Sequence, residues 1–227
     1  MRYRSIDRTG CSRLGRSCTL PDVAIRTIET RSLILDATRR RLLADGYGGL
    51  STRRVAEEAG VPLSQLHYHF GSKQGLILAL LEEENQRRLV RQREMYAEDA
   101  PLWQRYERAC DFLEDDLDSG YVRVLQEMIA AGWSNPELGD AVRELVGGWF
   151  ALLTEVSREA EQRHGPLGPF PADEIGALVG AAFIGAEALL LLGFDRKVLP
   201  IRSALRRFSV VIRQLGEGEP REERTRS

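Results

Sequence analysis

The chain has 227 residues, 43% hydrophobic and 29% charged, which is enough apolar material for a real core in one large domain or two small ones. The formal charge of −2 hides an uneven spread: residues 1–29 sum to +3, residues 30–93 to +4 and residues 94–227 to −9. Three cysteines, Cys11, Cys18 and Cys110, give neither a disulfide framework nor four-ligand zinc spacing, and the sparse, odd count fits a reducing cytoplasm.

Along the chain, residues 1–29 are rich in Arg, Ser and Gly with no sustained period. They read either as a disordered basic arm that tracks DNA phosphates or as a start assigned too early, with Val23 as the initiator. The first helix is predicted over residues 31–45, with Ile34, Ala37 and Leu42 inward and Arg39, Arg40 and Arg41 on an exposed face. The basic front suits a polyanionic partner, although a solvated surface has the same composition.

Residues 46–76 are the most informative stretch. Ser51 can cap a helix whose inward residues are Val55, Ala56 and Ala59; Gly60 stops it as a residue able to take positive φ. Val61 plugs the turn, and Pro62 suits the start of the next helix. There Leu66 and Phe70, four apart, face the core, while Leu63, Ser64, Gln65, His67, Tyr68 and His69 show on the other surface. Gly71 ends that helix and Ser72 can cap the next. Two short helices around a Gly turn make a helix-turn-helix, whose second helix enters the DNA major groove.

On these residues the chain resembles the tetracycline-repressor (TetR) family of bacterial regulators. The match runs through Ile34-Leu35-Asp36-Ala37, Gly46-Tyr47, Ser51, Val55-Ala56, Ala59-Gly60-Val61 and His69-Phe70-Gly71-Ser72-Lys73-Gln74-Gly75-Leu76, within about residues 30–80. Two positions depart from the family pattern: His67 stands where Tyr is usual, with Tyr68 next, and Gln65 where Thr is common. The resemblance implies an all-α fold: an N-terminal helix-turn-helix domain (30–76), then a larger helical effector-binding and dimerisation domain (77–215); the polar residues 216–227 read as a disordered tail.

The remaining elements read as helices by apolar spacing. The fourth starts at Ser72 and carries Leu76, Ile77, Leu80 and Leu81; the fifth runs from Pro101 with Trp103, Tyr106, Ala109, Cys110 and Leu113. Gly120 separates it from a helix bearing Leu125, Met128 and Ile129. Asn135-Pro136-Glu137 starts a long helix that ends near His164, before the Gly/Pro loop 165–169. Residues 175–193 are nineteen with a single charge, Glu187, long enough for a membrane span. Gly176, Gly180 and Gly185 and the cost of a mid-span Glu favour instead a buried helix in a dimer core. A last amphipathic helix carries Ile201, Ala204, Leu205, Phe208, Val211, Ile212 and Leu215, making nine helices in all.

The functional reading is a cytoplasmic homodimeric regulator of a palindromic double-stranded DNA operator, a repressor released by a small hydrophobic ligand. Arg53 and Lys73 would bind phosphate, helped by Ser51 and Thr52. Leu63, Ser64, Gln65 and Tyr68 would meet base edges, Gln65 as the hydrogen-bonded contact to adenine. His67 would hold phosphate in place of the usual Tyr, and His69 backbone or phosphate. The family's effector pocket would draw on Trp103, Tyr106, Phe112, Tyr121, Met128, Trp133, Trp149, Phe150 and Phe183. Gly180, Gly185, Leu189, Leu205, Phe208 and Ile212 would form the dimer interface. No enzyme, cofactor or metal is expected: there is no P-loop or nucleophile elbow, and His67 and His69 point about 200° apart on a helix. The alternatives are an activator or ligand-independent regulator and, more remotely, a helical small-molecule-binding protein or enzyme without DNA function.

Overall fold

The computed structural model describes residues 22–195 and 197–216, and every regular element among them is a helix. In chain order these are α1 (Asp22–Gly49), α2 (Thr52–Ala59), α3 (Leu63–Phe70), α4 (Lys73–Ala97), α5 (Leu102–Asp118), α6 (Tyr121–Gly132), α7 (Pro136–His164), α8 (Ala172–Leu191) and α9 (Ile201–Gly216). The arm expected over residues 1–29 is corrected in part, because α1 already begins at Asp22. No Gly or Pro interrupts residues 22–45, so nothing stops a helix there. Between residues 27 and 33 no side chain is buried to announce it, and Ile28 and Leu33 are exposed. Residues 1–21, with Cys11 and Cys18, and residues 217–227 of the expected tail lie outside the described residues.

The head is built from local signals. α1 kinks at Gly46, whose φ of 68° is left-handed, close to its expected end. Ser51 sits at the N-cap of α2 in extended backbone, but its hydroxyl makes no capping bond. Gly60 adopts the left-handed conformation (φ 69°), its N–H donating to the Glu57 carbonyl, and Val61 N–H closes on the Ala56 carbonyl at 3.0 Å. Pro62 stands just before the first helical residue of α3 rather than inside it. Ser72 does cap α4, accepting from Gly75 N–H at 3.0 Å. Gly75 is required by space: a Cβ there would lie 2.3 Å from the Phe70 carbonyl oxygen.

Head and body share one core. Ile34, Leu35, Val55, Leu66, Leu76 and Ile77 are almost wholly buried and continuous with Val122, Met128 and Leu138. Three polar joints reinforce this seam. Arg123 donates to the Leu43 carbonyl at 3.4 Å, Tyr47 N–H donates to Glu127 at 2.5 Å, and the Asn135 amide donates to Gln74 at 3.1 Å. α8 lies along α7, with Gly176 against Thr154 and Gly180 against the Phe150 ring. α9 lies along α5, tied by Arg202–Glu114 (2.8 Å) and by Ser209 Oγ donating to Glu107 (2.8 Å). By length and composition α8 could cross a membrane. Within one chain only Ala172, Gly176, Gly180 and Ala186 of it are buried. The fully buried helix expected there is therefore covered on one side alone.

Candidate nucleic-acid interface and effector cavity

α3 is anchored through Leu66, which has no exposed surface, and its other side is open: Leu63, Ser64, Gln65, His67 and Tyr68 are all exposed, Tyr68 by 80%. One buried side chain per turn fixes the helix rotation, so these residues form one protruding face. His67 is partly committed, with Nδ1 3.0 Å from the Gly71 carbonyl oxygen at the end of its own helix. His69 is half-buried, its ring packed between those of Tyr68 and Phe70.

Charge around this face is sorted by pairing. Arg53 is exposed at the start of α2 and reaches only Glu57, at 3.3 Å. Ser51 and Thr52, half-buried, stand at the same helix end. Lys73 opens α4, its ammonium 3.4 Å from the Gly48 carbonyl and 4.9 Å from the centre of the Tyr47 ring. By contrast Arg39, Arg40 and Arg41 are engaged by acids of the chain itself, namely Asp36 with Glu84, Glu58 and Asp45 respectively.

A cavity of about 90 Å³ lies inside the body between α4, α5, α6, α7 and α8. Of the expected pocket residues, Tyr121, Trp149, Phe150 and Phe183 line it, and Tyr96 completes an aromatic wall. Asn85, buried beneath, accepts from the Tyr121 hydroxyl (3.1 Å) and the Trp149 indole N–H (2.5 Å), which fixes both rings. Two carboxylates reach the wall. Asp116 receives Arg88 at 2.8 Å and Arg91 at 2.9 Å. Burial raises its carboxyl above the usual range, and the two arginines oppose the shift. Glu187 receives the Gln126 amide at 3.0 Å; burial pushes it up to about 7, with Gln126 opposing and Asp116 reinforcing. Asp116, Asn85 and Arg88 escaped the sequence reading. No motif marks them in the sequence: α5 meets α4 at Arg88 and Asp116, while Asn85 is enclosed by Tyr121 of α6 and Trp149 of α7.

A second space, an apolar cleft of about 1120 Å³, opens between α5, α7, α8 and α9. Trp103 and Tyr106 line it, as do Gly185, Leu189, Leu205, Phe208 and Ile212 from the expected dimer face. Three pocket expectations are corrected. Trp133 is 83% exposed beyond the end of α6, Met128 is sealed in the core, and the Phe112 ring is covered by the Arg91 guanidinium at 4.1 Å. Gly180 is corrected too: it is buried inside the chain, where a Cβ would come within 2.6 Å of the Phe150 ring. Gly185 has open space around its Cα. Cys110 is free and buried, and its thiol is pushed up to about 11 by that burial.

Residues 34–80 match the family model for bacterial regulatory proteins of the tetR family. The HTH-type transcriptional repressor AcnR of Corynebacterium efficiens is 36% identical over 59 residues, 26% of this chain and 31% of that protein. The chain thus matches about a third of the length of the curated relatives. A putative TetR-family transcriptional regulator from Rhodococcus sp. superposes with a TM-score of 0.68 at 23% identity, over 82% of this chain and 99% of that one. The transcriptional regulator FadR from Bacillus subtilis, in complex with stearoyl-CoA, superposes with a TM-score of 0.64 at 16% identity, over 83% and 99%. At such identities these structures establish the fold, an all-α chain with a helix-turn-helix head and a larger helical body.

Proposed function

We propose that this chain, similar to the bacterial tetR family over residues 34–80 and sharing the fold of a solved TetR-family regulator over 82% of its length, is a cytoplasmic DNA-binding transcriptional regulator acting as a homodimer. The observation that carries the reading is the exposed face of α3 above the buried Leu66. Leu63, Ser64, Gln65 and Tyr68 meet base edges in the major groove, with Gln65 offering both a donor and an acceptor to adenine. Arg53, Lys73 and His67 hold phosphates on either side. The N–H groups at the starts of α2 and α4, beside Ser51, Thr52 and Ser72, favour the same negative charge. His69, packed among its neighbours, supports α3 more than it reaches outward.

The exposed apolar residues of α8 and α9, including Leu178, Phe208, Val211 and Leu215, are the surface that a second copy covers. Pairing through them sets the two α3 helices about one DNA turn apart, roughly 34–36 Å, on a palindromic duplex. The effector is a small, largely apolar molecule in the cavity between α4 and α8. Its lever is the seam where α6 grips the end of α1 through Arg123 and Glu127. A ligand that favours one setting of that seam changes the spacing of the two heads, and its differential affinity sets the response. Repression is the favoured sign, as in the repressor AcnR, and the FadR structure in complex with stearoyl-CoA supports a fold of this kind holding a ligand.

The test is enrichment of duplexes from a random pool, followed by titration of the winning sequence at several salt concentrations. The expected result is a palindromic site whose affinity falls steeply and linearly in log salt. No duplex affinity even at low salt would leave the helical small-molecule binder as the better account.

A further inference from the structure

Glu187 is the unusual group on the cavity wall. Asp116, the other acid there, is neutralised by Arg88 and Arg91. Glu187 receives the neutral Gln126 amide, whose Nε2 also donates to the Ile184 carbonyl at 3.2 Å, and no cationic side chain pairs with it among the described residues. Glu187 is half-buried; a carboxylate drawn partly out of water without a counter-ion is costly, and an apolar residue would fill this position of α8 without that cost. The same cavity is lined by the aromatic side chains of Tyr96, Tyr121, Trp149, Phe150 and Phe183. Aromatic faces attract cations, and the Arg88 guanidinium already sits 3.9 Å from the centre of the Tyr121 ring.

A lone carboxylate in an aromatic wall is complementary to one class of guest. We infer that the cavity takes a compact alkylammonium ion, its charge met by Glu187 and its methyl or methylene groups lying against the rings. This deepens the effector reading above and rests on it for the location of the site. The size agrees: about 90 Å³ lies well below the range of roughly 300–1,000 Å³ for drug-sized ligands, so a head of few non-hydrogen atoms fits. The charged and titratable groups of the same wall are Asp116 from α5, held by Arg88 and Arg91 of α4, with Tyr96 from α4 and Tyr121 from α6; Gln126, Gln92 and Trp149 add neutral polar groups. Burial raises the Asp116 carboxyl as well, against the opposing pull of its two arginines. The Glu187 carboxyl, pushed up to about 7 by burial, loses its proton as the cation enters.

The experiment compares choline with its neutral carbon isostere, 3,3-dimethylbutan-1-ol, by calorimetry and intrinsic tryptophan fluorescence on the full chain without DNA. Choline is expected to bind at least about tenfold tighter than the isostere, with the preference lost in Glu187→Gln. Near pH 7 the wild-type heat also varies with the ionisation enthalpy of the buffer, reporting the released proton. Equal affinity for the two probes, or no choline binding, overturns the inference; both are read on wild-type protein and do not depend on the variant folding. A preference unchanged in a folded Glu187→Gln overturns it too. Duplex affinity is measured separately, so loss of DNA binding would sink the regulator reading while leaving the ammonium site standing.

Discussion

Replacing Glu187 by Gln gives a stability difference with a defined pH profile. Gln keeps the shape and the Gln126 contact but mimics the protonated acid. In the folded chain the Glu187 carboxyl lies near 7 against an ordinary value of 4.5. The native state therefore holds the proton more tightly than the unfolded chain does. Below pH 4.5 both states are protonated and the group contributes no penalty. As pH rises from 4.5 to 7 the unfolded chain gives up its proton while the native state keeps it, so stability falls; above 7 both are ionised and the loss levels off. A displacement from 4.5 to about 7, at 1.36 kcal/mol per pH unit, corresponds to about 3 kcal/mol at the plateau and about 1 kcal/mol at pH 5. Glu187→Gln is thus expected to match the wild type near pH 4, to gain about 1 kcal/mol at pH 5 and about 3 kcal/mol at pH 8. On a chain of this size that plateau is roughly 6–12 °C in melting temperature. Asp116 is present in both proteins and largely cancels. The assay is urea denaturation at fixed protein concentration from pH 4 to 8, because dimerisation would otherwise move the midpoint. A difference that is flat with pH, or that makes Gln the less stable residue at pH 8, would refute the argument that Glu187 is desolvated and unpaired.

Three further outcomes follow from the geometry. Arg53→Ala and Lys73→Ala should weaken duplex binding about equally across sequences and flatten the salt dependence by about one unit of slope for each lost phosphate contact, read by anisotropy over a salt series; unchanged slopes remove both from that role. Gly180→Val should destabilise the fold by about 1–3 kcal/mol through its clash with Phe150, whereas Gly185→Val, in open space, should leave folding intact and act on dimerisation; sedimentation with denaturation separates the two. Gly75→Ala sets a methyl group against the Phe70 carbonyl, so its melting temperature and duplex affinity should fall together, and a variant that keeps both denies the tight α3–α4 turn.

The head was legible because its signals are local. Gly60, Leu66, Gly71 and the Ser72 cap act within one turn of themselves, and apolar spacing sets the helix rotation without distant partners. The early part of α1 was missed for the same reason, since residues 27–33 bury no side chain and so leave no period. In the body, residue type alone could not say which aromatics meet. Trp133 and Trp149 have the same side chain, but one projects past the end of α6 into solvent and the other is pinned by Asn85 into the cavity wall. Gly180 and Gly185 belong to one small-residue pattern, yet five helical positions put them about 140° apart. The packing of α7 sends the first onto Phe150 and leaves the second bare. Glu187 was visible as the single charge of an apolar segment, but its meaning lay in what stands opposite. Four other helices bring aromatic rings, the amides of Gln92 and Gln126 and an already satisfied carboxylate to the cavity it lines, and no cationic side chain among the described residues pairs with it. Desolvation and charge pairing depend on that three-dimensional company, which spacing along the chain does not encode.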